Sequence, residues 1–160
     1  MNKVDILAER VDSTYRIPIS LGNSDFGIKL DTGAKYTVIS AKAIKDTLAT
    51  EDLESITAYC EERSTHKEEF LSASGHKFYG YQVVAHNVEL GNSIIPEFRY
   101  YLVVENKRDI ALLGFDFIDH FNSSHTAHGN IVITEFDTDS YGKSQDAMES
   151  DEVIAYIDSL

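Results

Sequence analysis

Phe26-Gly27-Ile28-Lys29-Leu30-Asp31-Thr32-Gly33-Ala34-Lys35-Tyr36-Thr37-Val38-Ile39-Ser40 sets one carboxylate between two short apolar runs. Ile28 and Leu30 alternate onto one face of a strand, and Val38 and Ser40 onto one face of the next. Asp31 then sits at a tight turn, where Gly33 lets the backbone pass close to a neighbouring group. By itself Asp-Thr-Gly is ordinary turn chemistry. Its apolar setting gives it more weight, because a carboxylate placed among apolar strands needs hydrogen bonds or a partner that shares its proton.

A second stretch bears on the first. Asp109-Ile110-Ala111-Leu112-Leu113-Gly114-Phe115-Asp116-Phe117-Ile118 reads as a short apolar strand running into Gly114 and then into one or two helical turns. The pairing of apolar-Asp-Thr-Gly-Ala with a later Leu-Leu-Gly-x-Asp-Phe-Ile resembles the retropepsin family of aspartic proteases, over about Tyr15 to Phe136. The resemblance implies a single retropepsin-like lobe, all-β. It would be a mostly antiparallel, closed acid-protease barrel with one short helix after Gly114. It implies that Asp31 is catalytic and that Thr32, Gly33 and Ala34 form the active-site loop. Leu112, Leu113 and Gly114 would support that loop from below. The stretch Ser72-Ala73-Ser74-Gly75-His76, small residues between bulky ones, matches the position of the family's substrate-binding flap. Read locally it is a surface hairpin with a mobile tip.

Aspartic proteolysis needs two carboxylates at one water, sharing a proton because like charges so close cannot both ionise. This chain carries one Asp-Thr-Gly. A working site therefore requires a homodimer with one Asp31 per protomer. The resemblance further implies that the Thr32 hydroxyls bond across the two-fold axis. Ala34 stands where pepsin-like enzymes often carry a hydroxyl aimed at the carboxylate, and its absence leaves the dyad less acid-shifted. There are departures. Lys35 and Tyr36 occupy positions that are often acidic in retroviral members, and Phe115 stands where arginine is common.

The 160 residues suit one domain, and 14 basic against 27 acidic residues give a net charge of −13. That balance argues against nucleic acid as the main partner and makes a basic protein or peptide easier to attract; the resemblance implies a protein or peptide substrate. Cys60 is the single cysteine, so no intrachain disulfide can form. No apolar run reaches membrane-spanning length, and the charged N-terminus lacks a signal-peptide core; the expectation is a cytoplasmic protein without membrane contact.

Strands are expected over Thr14–Leu21, with Pro18 marking an edge or bulge, and over Phe26–Leu30, Tyr36–Ser40, Val83–Leu90 and Ile94–Val104. A last β segment is expected over Ile131–Ile133. Ser40 can cap a helix from Ala41 to Leu48. Residues 51–69 read either as a helix with Leu53, Ile56 and Tyr59 on one face or as an insertion. The division expected is a protease domain over 1–136 and an acidic C-terminal tail over 137–160, with a short helix over 151–158. His120, His125 and His128 lie near Asp116 and Asp119, but their spacing fits no zinc site, and no metal or cofactor is called for. Two functions from different classes follow. One is a homodimeric aspartic endopeptidase. The other is a retropepsin-like module that dimerises or binds peptides without turnover, in which an unpaired Asp31 would have no purpose.

Overall fold

The computed structural model describes residues 2–72, 74–104, 109–127, 129–137, 141 and 147–160, with no side-chain description for 2–5, 122–127, 134 and 135. The strands are β1 (Asn2–Val11), β2 (Thr14–Leu21), β3 (Ser24–Leu30), β4 (Val38–Ser40), β5 (Lys67–Leu71) and β6 (Lys77–Leu90). They continue as β7 (Ser93–Val103), β8 (Ala111–Leu113), β9 (Phe121–Ala127), β10 (Asn130–Phe136) and β11 (Met148–Glu149). The helices are α1 (Ala41–Ile44), α2 (Thr50–Arg63), α3 (Phe115–Ile118) and α4 (Ser150–Asp158).

Six strands close on themselves in the order β6-β7-β4-β8-β3-β2, with β2 returning to pair β6 at Ile19↔Leu90 and Ser20↔Glu89. The architecture is the closed, mostly antiparallel barrel expected from the sequence, with α3 directly after Gly114. Closure removes the open edges that a flat sheet would leave. Inward positions are filled by Ile17, Ile19, Ile28, Ile39, Val83, Phe98, Leu102 and Leu113, all at most 2% exposed. Pro18 pairs with Gly27, and its carbonyl accepts the Gly91 N–H at 2.8 Å. It lies between the stretch of β2 that pairs β1 and the stretch that pairs β6, where a missing donor is tolerated.

Two strands extend this barrel beyond the sequence reading. β1 and β9 flank β10 in an antiparallel trio, and neither was expected as a strand. Within β1, Ile6 and Ala8 are fully buried among charged neighbours, so its apolar alternation is too short to stand out; pairing to β10 decides its conformation. Residues 51–69 resolve mostly into α2, which buries Leu53, Ile56 and Cys60 and is closed at its start by the Asp52 carboxylate accepting the Ala49 N–H at 2.8 Å.

The C-terminal helix is part of the core. Val153, Ile154 and Ile157 of α4 are at most 5% exposed and belong to the same apolar cluster as the barrel. Tyr156 stacks on Tyr59 of α2 with centroids 4.3 Å apart. Ser150 and Tyr100, each 1% exposed, join hydroxyls at 2.8 Å. Met148 and Glu149 pair in parallel with Val83 and Val84 of β6. Late acidic residues mask this in the sequence, because Asp151, Glu152 and Asp158 punctuate the apolar stripe that packs inward. Among the described residues no helix is long and apolar enough to cross a membrane.

Truncating Ile157 to Ala should therefore destabilise the protein by about 2–5 kcal/mol, the range for opening a cavity in a packed core. Urea unfolding of the two proteins measures this.

Candidate active site

The site grows from the placement of β8. Its Leu112 and Leu113 pair in parallel with Lys29 and Leu30 of β3, while Leu112 and Ala111 pair antiparallel with Val38 and Ile39 of β4. β3 and β4 are the two strands that flank the Asp31 turn. With β8 inserted between them, the turn must arch over the end of β8, and the chain leaving β8 must pass beneath it.

Hydrogen bonds fix this crossing. The Asp31 N–H donates to the Leu113 carbonyl at 3.0 Å, continuing the β3–β8 ladder into the turn. Phe115 N–H donates to the Ala34 carbonyl at 2.8 Å, and Asp116 N–H to the Lys35 carbonyl at 3.1 Å. Between them lies Gly114. A Cβ there would sit 2.3 Å from the Tyr36 carbonyl carbon and 2.4 Å from its oxygen. Its backbone is extended, at φ −91° and ψ 177°, so glycine is demanded by proximity and not by conformation.

Within the turn, the Ala34 N–H closes on the Asp31 carbonyl at 3.2 Å, and the Gly33 N–H donates to Asp31 Oδ1 at 3.0 Å. Asp31 is half-buried, while Thr32 and Gly33 are exposed. Among the described residues, Gly33 supplies the hydrogen bond to the Asp31 carboxylate, and the Thr32 hydroxyl has no partner. Leu113 and Gly114 are buried beneath the turn, with Leu112 half-buried. Asp31, Thr32, Gly33, Ala34, Leu112, Leu113 and Gly114 are thus brought together as one unit.

A polar knot holds the underside. Thr37, fully buried, donates its hydroxyl to Asp116 Oδ1 at 2.7 Å and accepts the Gly114 N–H at 3.1 Å. Thr37 N–H also donates to the same carboxylate, at 3.0 and 3.1 Å to its two oxygens. Burial pushes the Asp116 carboxyl above the usual carboxylate range, and the Thr37 bonds act against that shift. The sequence reading grouped Asp116 with neighbouring histidines and passed over Thr37. The signal available was a lone threonine in an apolar run opposite an aspartate two residues past the key glycine.

The hairpin of β5 and β6 carries the expected flap residues. Phe70↔Phe78 and Leu71↔Lys77 bring the strands to the tip. There the Ser72 N–H donates to the His76 carbonyl at 2.9 Å, the Gly75 N–H to the Ser72 carbonyl at 2.9 Å, and the Ser72 and Ser74 hydroxyls meet at 2.9 Å. Gly75 adopts φ +84°, which favours glycine. Ala73 lies outside the described residues. At the root, Phe70 packs edge-on against Tyr36 (6.0 Å) and Tyr101 (5.8 Å) and stacks on Phe78 (5.5 Å). Gly80 makes room for this, since a Cβ there would lie 2.7 Å from Phe70 Cε2. The hairpin is therefore anchored on the residue that leaves the Asp31 turn. Leu71 stays 68% exposed on the hairpin, and Phe115 stays 49% exposed beside the turn.

Other reactive side chains sit apart. Burial pushes the Cys60 thiol up to about 12, which keeps it protonated and inert. His128 and the side chain of His125 lie outside the described residues. His120 packs edge-on against the Phe136 and Tyr141 rings.

Among solved structures, the chain is similar to the crystal structure of a retropepsin-like aspartic protease from Rickettsia conorii. The TM-score is 0.51 at 15% identity, covering 83% of this chain and 92% of that one. At that identity the likeness is one of fold. No protein-family model matches the chain, and no curated protein does.

Replacing Gly114 by Ala is expected to destabilise the fold by about 3 kcal/mol or more, because backbone must move to admit the methyl. Gly75→Ala, with nothing within 4 Å of its added Cβ, should cost only about 1 kcal/mol through its positive φ. Equal melting shifts for the two variants would contradict the crossing geometry.

Proposed function

We propose that this chain is one half of an aspartic endopeptidase, in which two protomers each contribute Asp31 to a shared site. The observation that carries the reading is the Asp31 turn. It is buttressed by β8 and Gly114, yet among the described residues its carboxylate and the Thr32 hydroxyl are left short of partners. A second copy related by a two-fold axis supplies what is missing: a threonine hydroxyl for each Thr32 and a second carboxylate for each Asp31. The exposed Phe115 next to the turn gives such a face apolar area to bury.

In the dyad, one carboxylate is ionised and the other carries the shared proton. The ionised Asp31 takes a proton from a water as its oxygen attacks the scissile carbonyl carbon, and the protonated Asp31 gives its proton to the carbonyl oxygen. The tetrahedral intermediate collapses when a proton reaches the amide nitrogen and the C–N bond breaks. The pair titrates as a unit, so neither pKa belongs to one chain. The hairpin from Ser72 to His76 closes over an extended peptide, with exposed Leu71 giving it an apolar contact. Lys35 and Tyr36, following the turn, meet the substrate where an acidic pair would otherwise bind its backbone. The site acts without metal or cofactor, on a protein or peptide substrate.

Asp31→Asn keeps the shape of the carboxylate but cannot act as base, so turnover of an unstructured protein mixture should fall by about 10²-fold or more with the fold retained. A pepstatin-type inhibitor should produce the same loss in the wild-type protein. Cleavage that persists in pure Asp31→Asn protein would sink the proposal.

A further inference from the structure

Beside the Asp31 turn lies a cavity of about 140 Å³, walled by Tyr36, Gln82, Arg99, Tyr100, Tyr101 and Asp116. Its floor is Tyr100 and Tyr101, 1% and 5% exposed, and the other four residues are half-buried at its mouth. It adjoins the proposed site on two sides. Asp116 is bonded through its N–H to the Lys35 carbonyl in the chain leaving the turn. Tyr36 and Tyr101 carry Phe70 of the hairpin. A peptide held between turn and hairpin therefore passes this opening. A larger cavity of about 510 Å³, near Arg16, Phe26 and Glu89, includes no residue of the turn or the hairpin.

The chemistry of the walls selects an occupant. Arg99 is held in place, its guanidinium 4.0 Å from the Tyr141 ring centroid and donating to the Tyr141 carbonyl at 2.5 Å. Asp116 is fixed by Thr37. One cation and one anion face the same small space. A carboxylate entering would be drawn to Arg99 but repelled by Asp116, and an ammonium the reverse. A charged guest therefore gains little from the pair to offset its loss of water, whereas a neutral polar group can bond to both. The Gln82 carboxamide and the Tyr36 hydroxyl have no hydrogen-bond partner among the described residues, so they offer both donors and acceptors to a guest. At about 30 Å³ per water, the space holds four or five waters, the size of a side chain with four or five heavy atoms. A phenyl ring is near the limit of such a volume, and an aromatic or aliphatic guest would leave the polar walls unpaired.

We propose that this cavity is a specificity pocket that takes a neutral carboxamide, the side chain of Asn or Gln, from the bound peptide. The proposal rests on the reading of the Asp31 site as a peptide site, and it is tested by binding so that it does not depend on turnover. Asp31→Asn protein is equilibrated with an immobilised library of unstructured peptides randomised at each position. One position should favour Asn or Gln, with Gln peptides held about tenfold or more tightly than the same peptides carrying Met, which has nearly the same shape but no amide. Adding Gln82→Leu, or Tyr36→Phe, which keeps the ring packing and removes one hydroxyl, should bring that ratio close to one. The pocket is refuted if no position favours a carboxamide, if the ratio survives both substitutions, or if no peptide is retained. Carboxamide selection by a protein whose wild type cleaves nothing would uphold the pocket and remove the hydrolysis.

Discussion

Everything at the proposed site depends on one steric fact: β8 lies between the two strands that flank the Asp31 turn, and the chain leaving it must cross under that turn within backbone contact distance. Gly114 alone permits the crossing, since any Cβ would collide with the Tyr36 carbonyl. The crossing in turn satisfies the backbone of the turn. Asp31, Ala34 and Lys35 all exchange main-chain hydrogen bonds with residues 113–116. A loop so tied has little freedom, and its carboxylate is held where the strands put it.

The pair of buried Thr37 and half-buried Asp116 completes the crossing from below. A carboxylate partly removed from water is costly unless it is well bonded, and Asp116 accepts from both the hydroxyl and the amide of Thr37. Its raised proton affinity records that burial dominates even so. The same carboxylate borders the cavity next to the turn. One group thus serves two purposes: it locks β4 to α3, and it gives the neighbouring space its polarity.

The barrel was expected from the resemblance that two separate motifs carry, and several of its strands were legible because their residues alternate. Ser40 was read as a helix cap, and it accepts the Ala43 N–H at 3.1 Å as well as the Ile110 N–H at 2.9 Å. Asp31 and Gly114 stand out as polar or small residues breaking apolar runs, and the resemblance supplied the roles expected of them. What stayed hidden depends on partners distant in the chain. β1 and β9 are strands because β10 lies between them, not because their own residues alternate. The helix α4 was expected, but its acidic outer face disguised that Val153, Ile154 and Ile157 complete the core. The cavity residues Gln82, Arg99 and Asp116 come from three separate elements, and no local pattern joins them.

The shared site is the central claim, and subunit mixing tests it most directly. Wild-type protein is unfolded, mixed in varying ratio with Asp31→Asn protein, and refolded together, and peptide hydrolysis is measured at constant total concentration. If each site needs an Asp31 from both chains, mixed dimers are inactive and the rate follows the square of the wild-type fraction. A rate linear in that fraction would show that each chain works alone and would contradict the account.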